Sequence, residues 1–167
     1  TATPKKESNI ISYVDAVQLK NEHMVKLPVI VYNRDSQAEV LIDAIDLRNK
    51  LEEIADAEYA KTGKYIRPIA LFQAQPKGKE DATTFEKLRD KLVDKGIPAE
   101  QIAIRTADVN ELKNADLMSP SCPIRYIITV NALKEGWDCP FAYILASLAN
   151  KTSQVDVEQI LGRILRL

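Results

Sequence analysis

The stretch Ile124-Arg125-Tyr126-Ile127-Ile128-Thr129-Val130-Asn131-Ala132-Leu133-Lys134-Glu135-Gly136-Trp137-Asp138-Cys139-Pro140 decides how this chain is read. Ile124 to Val130 is an apolar, β-branched run of the kind found in strands buried on both faces. It runs into Gly136-Trp137-Asp138, so a glycine and an acid stand just past the carboxyl end of a strand. Open α/β sheets bind their ligands at that edge. A second apolar run, Phe141 to Leu148, follows.

The chain then closes on a helix. Ser153 supplies an N-cap with Asp156 three residues on, a start resembling a capping box. At about 100° per residue, Val157, Ile160, Leu161, Ile164 and Leu165 share one arc, and Gln159, Gly162, Arg163 and Arg166 share the opposite one. Arg163 and Arg166 are spaced i, i+3, so they point the same way, with no side chain on Gly162 between them. Guanidinium groups are permanently charged and planar, which suits them to phosphoryl oxygens. On its own this face would be a basic helix end favoured by the dipole. The order of strand, Gly-x-Asp loop, strand and arginine helix is more specific than either motif alone.

In that order the residues resemble a known family. Gly136-Trp137-Asp138-x-Pro140 is similar to motif V, and Gln159-x-x-Gly162-Arg163-x-x-Arg166 to motif VI, of superfamily 2 helicases and translocases. The wording resembles most closely the Res subunits of type III restriction enzymes and related DEAD/DEAH-type helicases. Phe72-Gln73-Ala74-Gln75 resembles motif IV. The resemblance covers roughly residues 10 to 167 and is strongest from 123 onward.

The resemblance implies a second RecA-like motor domain, the first being elsewhere in the same polypeptide, with ATP clamped between the two. Arg163 and Arg166 would then reach the β- and γ-phosphates, at least one as an arginine finger. Gln159 would approach the γ-phosphate or the attacking water, Asp138 the ribose or a motif VI arginine, and Gly136 and Gly162 would let backbone come close to the nucleotide. An ordinary loop acid capping nearby N–H groups is the alternative for Asp138. Many family members contact a nucleic-acid phosphate through a Thr six residues before the motif V glycine; here Val130 occupies that position and Thr129 precedes it. Successive strand residues face opposite ways, so Thr129 is no simple substitute, and Thr106, Gln75 and Asn131 are further candidates for nucleic-acid contact. Trp137 is suited either to base stacking or to packing.

No Gly-x-x-x-x-Gly-Lys-Ser/Thr occurs, nor a strand-ending Asp-Glu pair. ATP and Mg²⁺ would therefore be held mainly by the first domain, and this chain alone is expected not to hydrolyse ATP. The resemblance implies DNA as partner, with a methyltransferase modification subunit and, past Leu167, a nuclease in the restriction enzymes. The alternative is a RecA-like scaffold or regulatory module that binds a partner protein without hydrolysis. A third possibility, a self-sufficient nucleotide-binding domain, should carry its own phosphate loop.

Composition sets the bounds. With 167 residues, 46% hydrophobic and 28% charged, the chain suffices for one good core. A net charge of −1 argues against a broad polyanion-binding surface while leaving room for a local basic strip. No apolar run approaches the ~18 residues of a membrane span, and no signal peptide opens the chain, so a cytoplasmic protein is expected. Cys122 and Cys139 fit no metal spacing and are expected to be reduced thiols, and His23 falls in a polar turn. The chain has no initiating Met and stops one residue after Arg166, so a fragment of a longer protein is expected.

In order, residues 1–9 form a polar leader and residues 10–34 a β-hairpin or interdomain arm, built from Ile10–Leu19 and Met24–Tyr32. Residues 35–65 hold a long amphipathic helix, Ser36 to Lys61, ended by Gly63. Residues 66–167 form the second RecA-like domain. Its expected elements are a buried strand from Ile66 to Gln73, a helix from Asp81 to Lys95 with Phe85, Leu88, Leu92 and Val93 inward, a short strand Ile102–Arg105, and a helix-like stretch from Val109 to Met118. Alternation at this spacing predicts an α/β fold: a three-layer RecA-like domain around a mostly parallel sheet, preceded by the hairpin and the long helix.

Overall fold

The structure is a computed structural model that describes residues 34–76, 83–130 and 139–148, with Gln18, Asn21, Ile30 and Tyr32 as isolated positions. The leader, the closing helix and nearly all of the 10–34 segment lie outside these residues; within that segment, Gln18 and Asn21 have helical backbone.

Helix α1 spans Gln37–Thr62. Its start is a capping box: the Ser36 hydroxyl accepts from the Glu39 N–H at 3.2 Å, and the Glu39 carboxylate accepts from the Ser36 N–H at 3.3 Å. It ends on Gly63, whose φ of 71° is a left-handed conformation, with its N–H on the Tyr59 carbonyl at 2.8 Å. The buried stripe is Leu41, Ala44, Arg48 and Ala55, at the three- and four-residue spacing of one helix face. Ile42, Ile54 and Tyr59, apolar positions of the same periodic pattern, are exposed.

Four strands follow: β1 Ile69–Gln73, β2 Ile102–Arg105, β3 Tyr126–Thr129 and β4 Ala142–Ser147. They form one sheet of order β2-β3-β1-β4, with every pair parallel. The α/β class read from the alternation is the one observed, and its parallel sheet agrees with a RecA-like fold. β1 lies between two neighbours and is buried along its length, as its unbroken apolar sequence requires. Helix α2, Phe85–Asp94, is capped by Thr84 and turns Leu88 and Leu92 fully inward, while Val93 is exposed rather than inward.

One face of the sheet, carrying Ala70, Phe72, Ile104, Ile128, Ile144 and Ala146, packs on α1 and α2. The other face, carrying Ile69, Leu71, Ala103, Ile127 and Ala142, packs on Leu112, Cys122, Ile124 and Phe141. The β1 to β2 connection travels one way across the sheet with α2 on the first face. The return to β3, and the entry to β4 through Cys139 and Phe141, use the second face. Opposite travel on opposite faces is what crossovers of a single hand produce.

The layer on the second face departs from expectation: Val109–Met118 is a series of turns and not a helix. Short polar side chains take the backbone groups a helix would have used. The Thr106 hydroxyl accepts from the Val109 N–H at 3.0 Å, the Asn110 side chain from the Leu112 N–H at 3.2 Å, and the Asp116 carboxylate from the Met118 N–H at 3.0 Å. An antiparallel bridge between Arg105 and Asn110, with the Glu111 carboxylate accepting from the Ile104 N–H at 2.7 Å, covers the outer edge of β2.

β4 carries a bulge. Ile69 pairs with Ala142 but Ala70 with Ile144, so Tyr143 is passed over. Ala142 therefore faces the second layer and Ile144 the first, although residues two apart in a regular strand share a face.

Candidate functional site

Because the strands are parallel, their carboxyl ends form one edge, bearing Gln73 to Gln75, Arg105 and Thr106, Thr129 and Val130, and Ser147 and Leu148. The edge is a polar network on an apolar floor. Gln73 is 3% exposed and bridges its neighbours: its amide nitrogen donates to the Val130 carbonyl at 3.4 Å, and its amide oxygen accepts from the Ser147 hydroxyl at 3.0 Å.

A second set of bonds ties the helix layer to this edge. Gln37, in the first turn of α1, donates to the Leu148 carbonyl at 3.4 Å, and its amide oxygen accepts from the Thr83 hydroxyl at 2.7 Å. Thr83 in turn donates its N–H to the Gln75 side-chain oxygen at 3.0 Å, and its carbonyl accepts the Gln75 N–H at 2.9 Å. The loop after β1 is thus closed at its base by Gln75 and Thr83.

Three of the sequence candidates lie on this edge. Gln75 is half-buried, with its side-chain oxygen engaged and its amide nitrogen without a partner among the described residues. Thr106 is buried, with its hydroxyl holding the turn into Val109. Thr129 is at the end of β3 and 0% exposed, so it stands in the sheet interior and not at a surface. Asn131, Gly136, Asp138, Gln159, Gly162, Arg163 and Arg166 lie outside the described residues.

The opposite, amino-terminal edge holds a charged cluster that the sequence did not announce. Arg48, 4% exposed, pairs with Glu52 one helical turn on, lies over the Tyr126 ring at 5.4 Å, and reaches the Pro68 carbonyl at 3.5 Å. Glu52 also takes the Arg125 guanidinium at 2.7 Å, and Arg125 donates to the Cys122 and Pro123 carbonyls at 3.2 and 3.0 Å. Burial alone would raise the Glu52 carboxyl, but the hydrogen bonds and charges of Arg48 and Arg125 outweigh it and hold the group below 4.5. Burial raises the Tyr126 phenol above 10.0, against the opposing pull of Arg48.

Arg67 is a second buried guanidinium, 1% exposed, donating to the Ser119 carbonyl at 2.7 Å and the Tyr65 hydroxyl at 3.2 Å, with Phe141 beneath it at 5.9 Å. It fastens the turn layer to the start of β1. The sequence signal for both arginines was weak: each interrupts an otherwise apolar or amphipathic pattern where solvent exposure is the ordinary reading.

Among the described residues no group of three His, Cys, Asp or Glu side chains is placed to hold a metal, and no helix is long and apolar enough to cross a membrane. Cys122 and Cys139 are both buried. No protein-family model, curated protein or solved structure matches the chain.

Proposed function

We propose that the chain is the second motor domain of an ATP-dependent DNA helicase or translocase, of the type III restriction Res kind, working in the cytoplasm. The observation that carries this reading is the strand order β2-β3-β1-β4, all parallel. It sets the carboxyl end of β3 inside the sheet, and the chain leaves that end into the segment whose sequence contains Gly136-Trp137-Asp138.

ATP and Mg²⁺ sit on the first motor domain of the same polypeptide. Arg163 and Arg166 neutralise charge that spreads over the transferred phosphoryl group, Gln159 orients the water, and Asp138 with the backbone at Gly136 and Gly162 meets the nucleotide. DNA lies along the carboxyl edge near Gln75 and Thr106, and Asn131 meets it past the end of β3, where Thr129 is buried. Closure on ATP and reopening after hydrolysis step the domains along the backbone, and a methyltransferase subunit completes the assembly.

The test is DNA-stimulated ATP turnover by the full-length protein carrying this domain, with Arg163→Ala and Arg166→Ala at matched folding and nucleotide affinity. Loss of about 10²-fold or more, with binding retained, is expected for a finger. Turnover by both variants at the wild-type rate refutes the motor assignment and favours a RecA-like module that binds a partner protein without hydrolysis.

A further inference from the structure

Resting on the motor reading, we infer that Gln37 and Thr83 form a positioning clamp that couples the loop after β1 to the segment after β4. The clamp joins three places distant in sequence: the first turn of α1, the base of the β1 loop at Gln75, and the carbonyl of Leu148. Beyond Leu148 the sequence carries Gln159, Arg163 and Arg166.

Geometry makes the clamp a relay. Gln37 uses its amide oxygen for Thr83 and its amide nitrogen for Leu148, so neither bond is made well unless both loops are in place. Thr83 uses its hydroxyl toward α1 and its backbone N–H and carbonyl toward Gln75, so a displaced Gln75 displaces the hydroxyl. The Leu148 N–H is fixed to the Gln73 carbonyl at 2.9 Å, which gives the relay a reporter on the far strand. Gln75, whose amide nitrogen has no described partner, is the group through which nucleic acid would load it. Gln37 and Thr83 are positioning residues and touch no substrate.

The test uses the full-length protein with Gln37→Met and Thr83→Val, which keep side-chain volume and remove the bonds, and Thr83→Ser, which restores the hydroxyl. Exchange of the Leu148 amide is expected to quicken about fivefold in Gln37→Met and Thr83→Val, the population change one such hydrogen bond controls. DNA-stimulated turnover should fall about three- to fivefold in the same two variants, with basal turnover and the KM for ATP unchanged. Thr83→Ser should behave as wild type in both assays, and the double variant should be no worse than either single one, because one link has been cut twice.

Wild-type exchange at Leu148 in both variants overturns the clamp. Faster exchange with unchanged DNA stimulation overturns the coupling and leaves only a structural bond. A wild-type protein without DNA-stimulated turnover refutes the motor reading itself, and the exchange at Leu148 then decides the link by itself.

Discussion

Replacing Glu52 by Gln tests how much of the fold rests on the cluster at the amino edge. Among the described residues Glu52 is the one carboxylate paired with both Arg48, whose side chain is 5% exposed, and Arg125, whose side chain is 23% exposed. Stripping the partner from a buried charge costs about 3–5 kcal/mol. The Glu52 side chain is itself 26% exposed, so solvent screens part of the loss and about 2–3 kcal/mol is expected. For a chain of this size that lowers Tm by about 4–12 °C.

The pH dependence gives a second handle on the same residue. The folded Glu52 carboxyl lies below its ordinary value of 4.5, so between the two values the unfolded chain binds more protons. Stability from this group is therefore full above about pH 4.5 and is lost as pH falls through the folded value. Urea unfolding followed by circular dichroism from pH 7 down to pH 3 measures both effects. The wild type should exceed Glu52→Gln at neutral pH, and the gap should close on acidification. A difference under about 0.5 kcal/mol at pH 7, within the range of ordinary surface substitutions, refutes the reasoning, as does a gap independent of pH.

Two further substitutions probe the layers separately. Leu88→Ala empties a position in α2 that is 0% exposed and should cost about 2–5 kcal/mol, read as a lower urea midpoint at unchanged slope. Gly63→Ala meets no atom within 4 Å but must hold a φ of 71°, so a loss of about 1–2 kcal/mol is expected from backbone strain alone; a neutral result would show that α1 ends differently.

Where local chemistry governs, the sequence was a good guide. Ser36, Glu39 and Gly63 mark α1 because capping is decided within a turn of the residue concerned, and Ile102–Arg105 is a strand because its short run carries β-branched Ile102 and Ile104. Ile66 was expected in β1, but the ladder begins at Ile69, after Pro68, which has no N–H to give it. Val109–Met118 failed for the opposite reason: its apolar spacing suits a helix, while Thr106, Asn110 and Asp116 capture the backbone first. Arg48 and Gln37 were illegible because their partners, Tyr126 and Leu148, are set by the meeting of distant segments. Of the site, the carboxyl edge and the neighbourhood of Gln75, Thr106 and Thr129 follow from strand order. The loop at Gly136 and Asp138 and the helix of Arg163 and Arg166 stand on sequence alone.

The bulge at Tyr143 makes β4 a seam. Phe141, Ala142 and Leu145 are stitched into one layer, Ile144 and Ala146 into the other, and the bulge sets which residues of the strand each layer receives. A slip of the strand by one position would therefore withdraw side chains from both layers together, so each layer checks the alignment of the other. Deleting Tyr143 would make Ala142 and Ile144 neighbours, so a regular strand with no bulge would present them to the same two layers as before.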